Sequence, residues 1–122
     1  QNPWQVLEKM KRYLKDDGYF LASIPNIAHY SILHDLLNGR WQYQEAGILD
    51  KTHLRFFTWQ TIIDMFQGAG YKIVDKRFKR IGVSDAARKS HEDFVNSIVK
   101  TYPMVNREEI MAYQYLVKAS KA

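Results

Sequence analysis

Tyr19-Phe20-Leu21-Ala22-Ser23-Ile24-Pro25 is the stretch whose reading decides the fold. It is almost continuously apolar and closed by a proline, the pattern of a short strand covered on both faces, as parallel strands in α/β proteins are. The residues before it predict an amphipathic helix. Asn2 and Pro3 form a cap and first-turn pair, and Trp4, Leu7, Met10 and Leu14 recur at helical spacing up to a stop at Asp16-Asp17-Gly18. Helix, tight turn and buried strand make half of a βαβ unit, which sets the class as α/β.

Downstream, Ile32, Leu33, Leu36 and Leu37 predict a second helix over 28–37, with Asn38-Gly39 as its stop. Residues 40–57 have weak periodicity, and an ordered loop of that length counts as evidence for a site. Thr58 predicts the N-cap of a helix that carries Ile62, Ile63 and Phe66 and ends at Gly68 or Gly70. Residues 71–78 read as a strand. Residues 111–119 read as another, with Met111, Tyr113, Tyr115 and Val117 alternating against more polar neighbours. Between them Ser84-Asp85 caps a helix to about Lys100 and Tyr102-Pro103 breaks it, so 79–109 reads as a helical insertion between the last two strands.

A chain of 122 residues, 46% hydrophobic and 25% charged, has the size of one globular domain or half of one. Its 18 Lys plus Arg against 13 Asp plus Glu give a net charge of +5, which permits acidic partners such as phosphorylated sugars, nucleotides or nucleic acid without selecting among them. The basic residues cluster at Lys9, Lys11, Arg12 and Lys15 and again at Lys76, Arg77, Lys79 and Arg80. A solvated face is the plainer account of both. With no cysteine, disulfides, thiolate metal sites and a Cys nucleophile are excluded. No apolar run reaches the ~20 residues that cross a bilayer and no signal-peptide pattern opens the chain, so a cytoplasmic protein is expected. His29, His34, His53 and His91 lack the spacing of a zinc helix, and no metal is expected.

Candidate chemistry concentrates in two places. In open α/β sheets ligands bind beyond the carboxyl ends of the parallel strands, which places Asn26, His29 and Tyr30 at a pocket; alternatively Asn26 caps the second helix and His29 lies on its exposed side. Residues 48–58, ILDKTHLRFFT, pack Asp50, Thr52, His53 and Arg55 between apolar anchors. There His53 suits a general base, with Asp50 fixing its tautomer and Arg55 holding an anionic group. The structural alternative is an Asp50–Arg55 pair that pins the loop while Leu54, Phe56 and Phe57 anchor it. Arg40 is a further candidate for reaching a phosphate. Trp41, Tyr43, Phe56, Phe57 and Trp59 around this loop either stack on a sugar or pack.

Taken together, ILDKTHLRFFT, Ser23-Ile24-Pro25-Asn26, Asn38-Gly39-Arg40-Trp41 and Gly68-Ala69-Gly70-Tyr71 resemble the C-terminal half of class I S-adenosylmethionine-dependent methyltransferases. The resemblance covers about residues 3–78 and is closest to a bacterial branch associated with glycan and cell-surface polysaccharide biosynthesis. It implies part of a Rossmann-like fold of about three strands, one parallel-type strand and a final antiparallel pair, with flanking helices. It implies S-adenosylmethionine as cofactor of an intact parent and a small-molecule or glycan-precursor acceptor contacted by Asn26, His29, Tyr30, Arg40, Asp50, Thr52 and Arg55. The glycine-rich turn of that family is missing, since no GxGxG occurs. The chain therefore reads as a single partial domain over 1–122, the substrate-side half, binding no cofactor and inactive alone. Its partners would be the N-terminal half of the parent, or a second copy in a homodimer or domain swap at the open edge of the first strand. The alternative is a small basic binding or interaction module; no recognised nucleic-acid motif supports a nucleic-acid partner.

Overall fold

The computed structural model describes residues 2–49 and 55–122. Helix α1 (Pro3–Met10) starts where Asn2 accepts from the backbone N–H groups of Trp4 and Gln5. It passes into a 3-10 turn, Lys11–Tyr13, so the α-helix is shorter than the spacing predicts. Leu7 and Leu14 still reach the core. Strand β1 (Phe20–Pro25) follows. Helix α2 (Tyr30–Leu37) begins two residues later than expected, because His29 and not Asn26 is its N-cap.

Residues 40–49 and 55–58 form no helix or strand beyond single bridges, one of them the parallel bridge of Phe57 to Asn26. Helix α3 (Trp59–Gly68) opens on a capping box between Thr58 and Thr61. It closes at Gly70, whose φ of 87° is the left-handed conformation that ends a helix without steric penalty in glycine alone. Strand β2 (Tyr71–Lys79) leads into α4 (Asp85–Thr101), capped by Ser84 as its sequence predicts. The insertion then holds a second helix. Asn106 caps α5 (Arg107–Met111), and β3 (Gln114–Lys121) starts after it, so Met111 is helical and the alternating strand begins later than its pattern suggests. The alternation itself holds from Tyr115 through Val117 to Ala119, all buried.

The sheet order is β1-β3-β2, with β3 antiparallel to both neighbours. The antiparallel pair of β2 and β3 is thus present. A parallel pairing of β1 is not seen among the described strands. β1 runs in the same direction as β2, but β3 lies between them, and the only described partner of β1 is antiparallel. A nearly continuous apolar run cannot separate these cases, since either arrangement buries it.

One face of the sheet is covered by α1 and α3, where Leu7, Ile62, Met65 and Phe66 pack on Tyr71, Tyr115, Val117 and Ala119. The other face is open, leaving Leu21 at 74% and Leu116 at 42% exposure. A second cluster, Tyr30, Val95 and Ile110, binds α2 to α4 and α5. A third holds Ile48 and Leu49 against Ile32. Among the described residues no helix is long and apolar enough to cross a membrane.

Candidate functional site

Several backbone and side-chain hydrogen bonds converge at the carboxyl end of β1. Pro25 pairs with Gln114 in the ladder, Asn26 N–H donates to Tyr113 O at 3.1 Å, and Tyr113 N–H donates to Lys79 O at 2.8 Å. The exits of β1 and β2 and the entry of β3 therefore meet at one end of the sheet. Because the insertion connects β2 to β3, α4 and α5 are held at that same end.

Asn26 is fully buried and ties this junction together. Its Nδ2 donates to the carbonyls of Glu109 at 2.6 Å and Ala112 at 2.8 Å, while its Oδ1 accepts from Ala28 N–H at 3.0 Å. With both amide donors and one lone pair of the oxygen used inside the protein, Asn26 braces the site. It does not cap α2, whose N-cap is His29.

His29 is 1% exposed, not on an outer helix face. Its Nδ1 accepts from Ser31 N–H at 3.2 Å and lies 2.7 Å from Ser31 Oγ, so the neutral ring carries its proton on Nε2. That Nε2 is buried and has no hydrogen-bond partner among the described residues. The ring lies 4.2 Å from Tyr30 and edge-on to Tyr113 at 5.3 Å, centroid to centroid. Burial, and secondarily the nearby His91, push its pKa down to about 4, which keeps it neutral at physiological pH.

Tyr30 is also buried, and burial raises its phenol. Its hydroxyl meets His91 Nδ1 at 3.0 Å, joining α2 to α4. Around this pair opens a cleft of about 260 Å³ lined by Tyr30, Ser31, His34 and Asp35 from α2 and Ser90, His91 and Phe94 from α4. Phe94 also stands edge-on to His34 at 5.1 Å. Nothing in residue spacing pairs Tyr30 with His91, 61 positions on.

Arg40 and Arg55 are not among the described residues that line this cleft. Arg40 pairs with Asp35 at 3.2 Å on the surface. Arg55 is exposed. Asp50, Thr52 and His53 lie outside the described residues. Trp41, Tyr43 and Phe56 stack on one another with centroids 5.6–6.5 Å apart, and Phe57 and Trp59 belong to the main core. Among the described residues no group of three or more His, Asp or Glu side chains is placed to hold a metal.

A family model described as a methyltransferase domain matches residues 1–76. The match covers more than half of the chain, which belongs to that methyltransferase-domain family. It takes in α1, β1, α2, α3 and the Asn26–Tyr30 turn, and leaves α4, α5 and β3 outside. No curated protein matches the chain.

Proposed function

We propose that this chain forms the acceptor side of an S-adenosylmethionine-dependent methyltransferase, with the acceptor seated between α2 and α4 at the carboxyl end of β1. The observation that carries this is the joint wall of the cleft. Tyr30, Ser31, His34 and Asp35 come from the segment matched by the family, and Ser90, His91 and Phe94 come from the insertion. Ligands of open α/β sheets bind at this end. Its volume is near the lower end of small-molecule sites, and hydroxyls, imidazoles and a carboxylate beside an aromatic face suit a hydroxyl-rich acceptor such as a glycan precursor.

The residues present do not fit the cofactor itself. A glycine-rich cradle sits between a strand and the helix after it. Here the turn after β1 runs Pro25-Asn26-Ile27-Ala28-His29 without a glycine, and Gly68-Ala69-Gly70 stands between a helix and the strand after it. The cradle is therefore assigned to residues outside these 122, and the chemistry here is confined to the acceptor.

Methyl transfer draws much of its acceleration from alignment and exclusion of water. Asn26 and the Tyr30–His91 hydrogen bond hold the cleft walls in register for that task. When His91 donates from Nδ1 to the phenol, its Nε2 carries a lone pair able to accept a hydroxyl proton; in the other tautomer Nε2–H donates instead.

The test uses the full-length protein with pooled hydroxyl-bearing sugar precursors and release of S-adenosylhomocysteine as readout. Ser90→Trp, which fills the cleft from an exposed position, should raise the acceptor KM, and Tyr30→Phe should lower turnover, with S-adenosylmethionine affinity by calorimetry unchanged in both. Unchanged kinetics in both variants, or micromolar S-adenosylmethionine binding by the 122-residue chain alone, would overturn the assignment.

A further inference from the structure

On the far side of Tyr30 and His91 lies a second, smaller cavity of about 150 Å³. Three arginines line it, each from a different element: Arg80 from the segment after β2, Arg88 from α4 and Arg107 from the first turn of α5. We infer that this cavity holds a phosphate-type anion carried by the acceptor. The inference rests on the acceptor cleft proposed above, because Tyr30 and His91 line both spaces.

Three like charges gathered around one space repel unless something of opposite sign offsets them. The structure supplies little. Arg88 pairs with Asp85 at 3.2 Å, but that carboxylate is 94% exposed and such pairs contribute little. Arg107 donates one N–H to Asn96, a neutral amide, out of the five its guanidinium carries. Arg80 has no ion pair or hydrogen bond among the described residues. Among the described residues Glu92 is the only carboxylate on the wall, against three arginines. A planar guanidinium fork matches phosphate oxygens, and Met111 and Ile81 give the wall an apolar surface for what the phosphate is attached to.

This places part of the basic run at 76–80 in a built site. Two of its other members are otherwise occupied: Lys76 sits over the Trp59 ring at 4.3 Å, and Arg77 faces Asp75 at 3.8 Å. A concave cavity of this size suits a small molecule better than the open stripe that tracks a nucleic-acid backbone.

Sodium pyrophosphate, titrated at constant ionic strength into the 15N-labelled chain, should shift the amides of 80–83, 88–92 and 107–111 saturably. Arg88→Gln combined with Arg107→Gln should weaken binding at least tenfold. Lys9→Gln combined with Arg12→Gln, the same change of charge on α1 and the 3-10 turn after it, should leave it unchanged. If the paired variant loses its dispersed spectrum, Arg80→Gln on the exposed segment serves instead, with a weakening of several-fold expected. Unsaturable shifts, equal shifts around 9–15, unaltered affinity in the cavity variants, or displacement by a short oligonucleotide with steep salt dependence would overturn the inference. Binding of pyrophosphate needs no methyl donor. Its persistence without any methyl transfer would remove the enzymatic assignment alone, and equal transfer to acceptors lacking phosphate would remove the phosphate assignment alone.

Discussion

The buried imidazole of His29 gives the sharpest test of the folded arrangement, because its cost can be calculated from its position. An ordinary histidine titrates near 6.5, whereas burial beside Tyr30, Tyr113 and His91 lowers this one to about 4. The groups around it are Ser31 on its own helix, Tyr113 before β3, and Tyr30 hydrogen-bonded to His91 on α4. Between those two pH values the unfolded chain binds a proton that the folded chain refuses, so stability falls as pH falls through the window. The loss attributable to this residue is about 2 kcal/mol at pH 5 and about 3 kcal/mol at pH 4, with little further change below. His29→Asn removes the titrating group and keeps a good helix cap. Urea unfolding of both proteins at several pH values from 7 to 4 reads the difference directly. The variant should start less stable, having lost ring packing, and its curve should converge on that of the natural protein by about 3 kcal/mol over the window. Parallel curves would show that His29 is solvated or paired in solution, and the account of the site given above would fail with it.

Two further outcomes follow from single contacts. Asn26→Ala removes the amide donors to the carbonyls of Glu109 and Ala112 and the acceptor for Ala28 N–H, though Glu109 O keeps the Ala112 N–H and the Tyr115 hydroxyl, and should cost about 2–4 kcal/mol in urea unfolding; a cost below about 1 kcal/mol would show that the junction repacks. The open edge of β1, with Leu21 exposed beside it, should drive concentration-dependent self-association seen by sedimentation velocity, and Leu21→Lys should suppress it; a monomer at high concentration would refute this.

The helices were legible in the sequence wherever a polar cap met an apolar stripe. Asn2, Thr58 and Ser84 each cap the helix that their spacing predicts. Histidine is not among the preferred caps, so the start of α2 was misplaced and Asn26 was credited with a role it does not have. The five-residue α5 escaped because so short a helix shows hardly one period. Strand positions could be seen, but not that β3 enters between β1 and β2, since pairing partners leave no local trace. In the candidate site Tyr30 was reached through the strand it follows, while Asn26 and His29, read from the same strand, are buried and do not line the cleft. His91 and Phe94 were assigned to no chemistry, because their approach to Tyr30 and His34 depends on how the insertion folds back.

The order of the sheet also bears on how the chain is made. Phe20 takes Ala119 as its partner, and Ile73 takes the same residue from the other side. As the polypeptide leaves the ribosome, both earlier strands wait without this shared neighbour until the closing segment has been synthesised. During that interval their unmatched backbones and sticky flanks are open to chaperones and to one another. Shortening the segment by a few residues would therefore harm two strands at once.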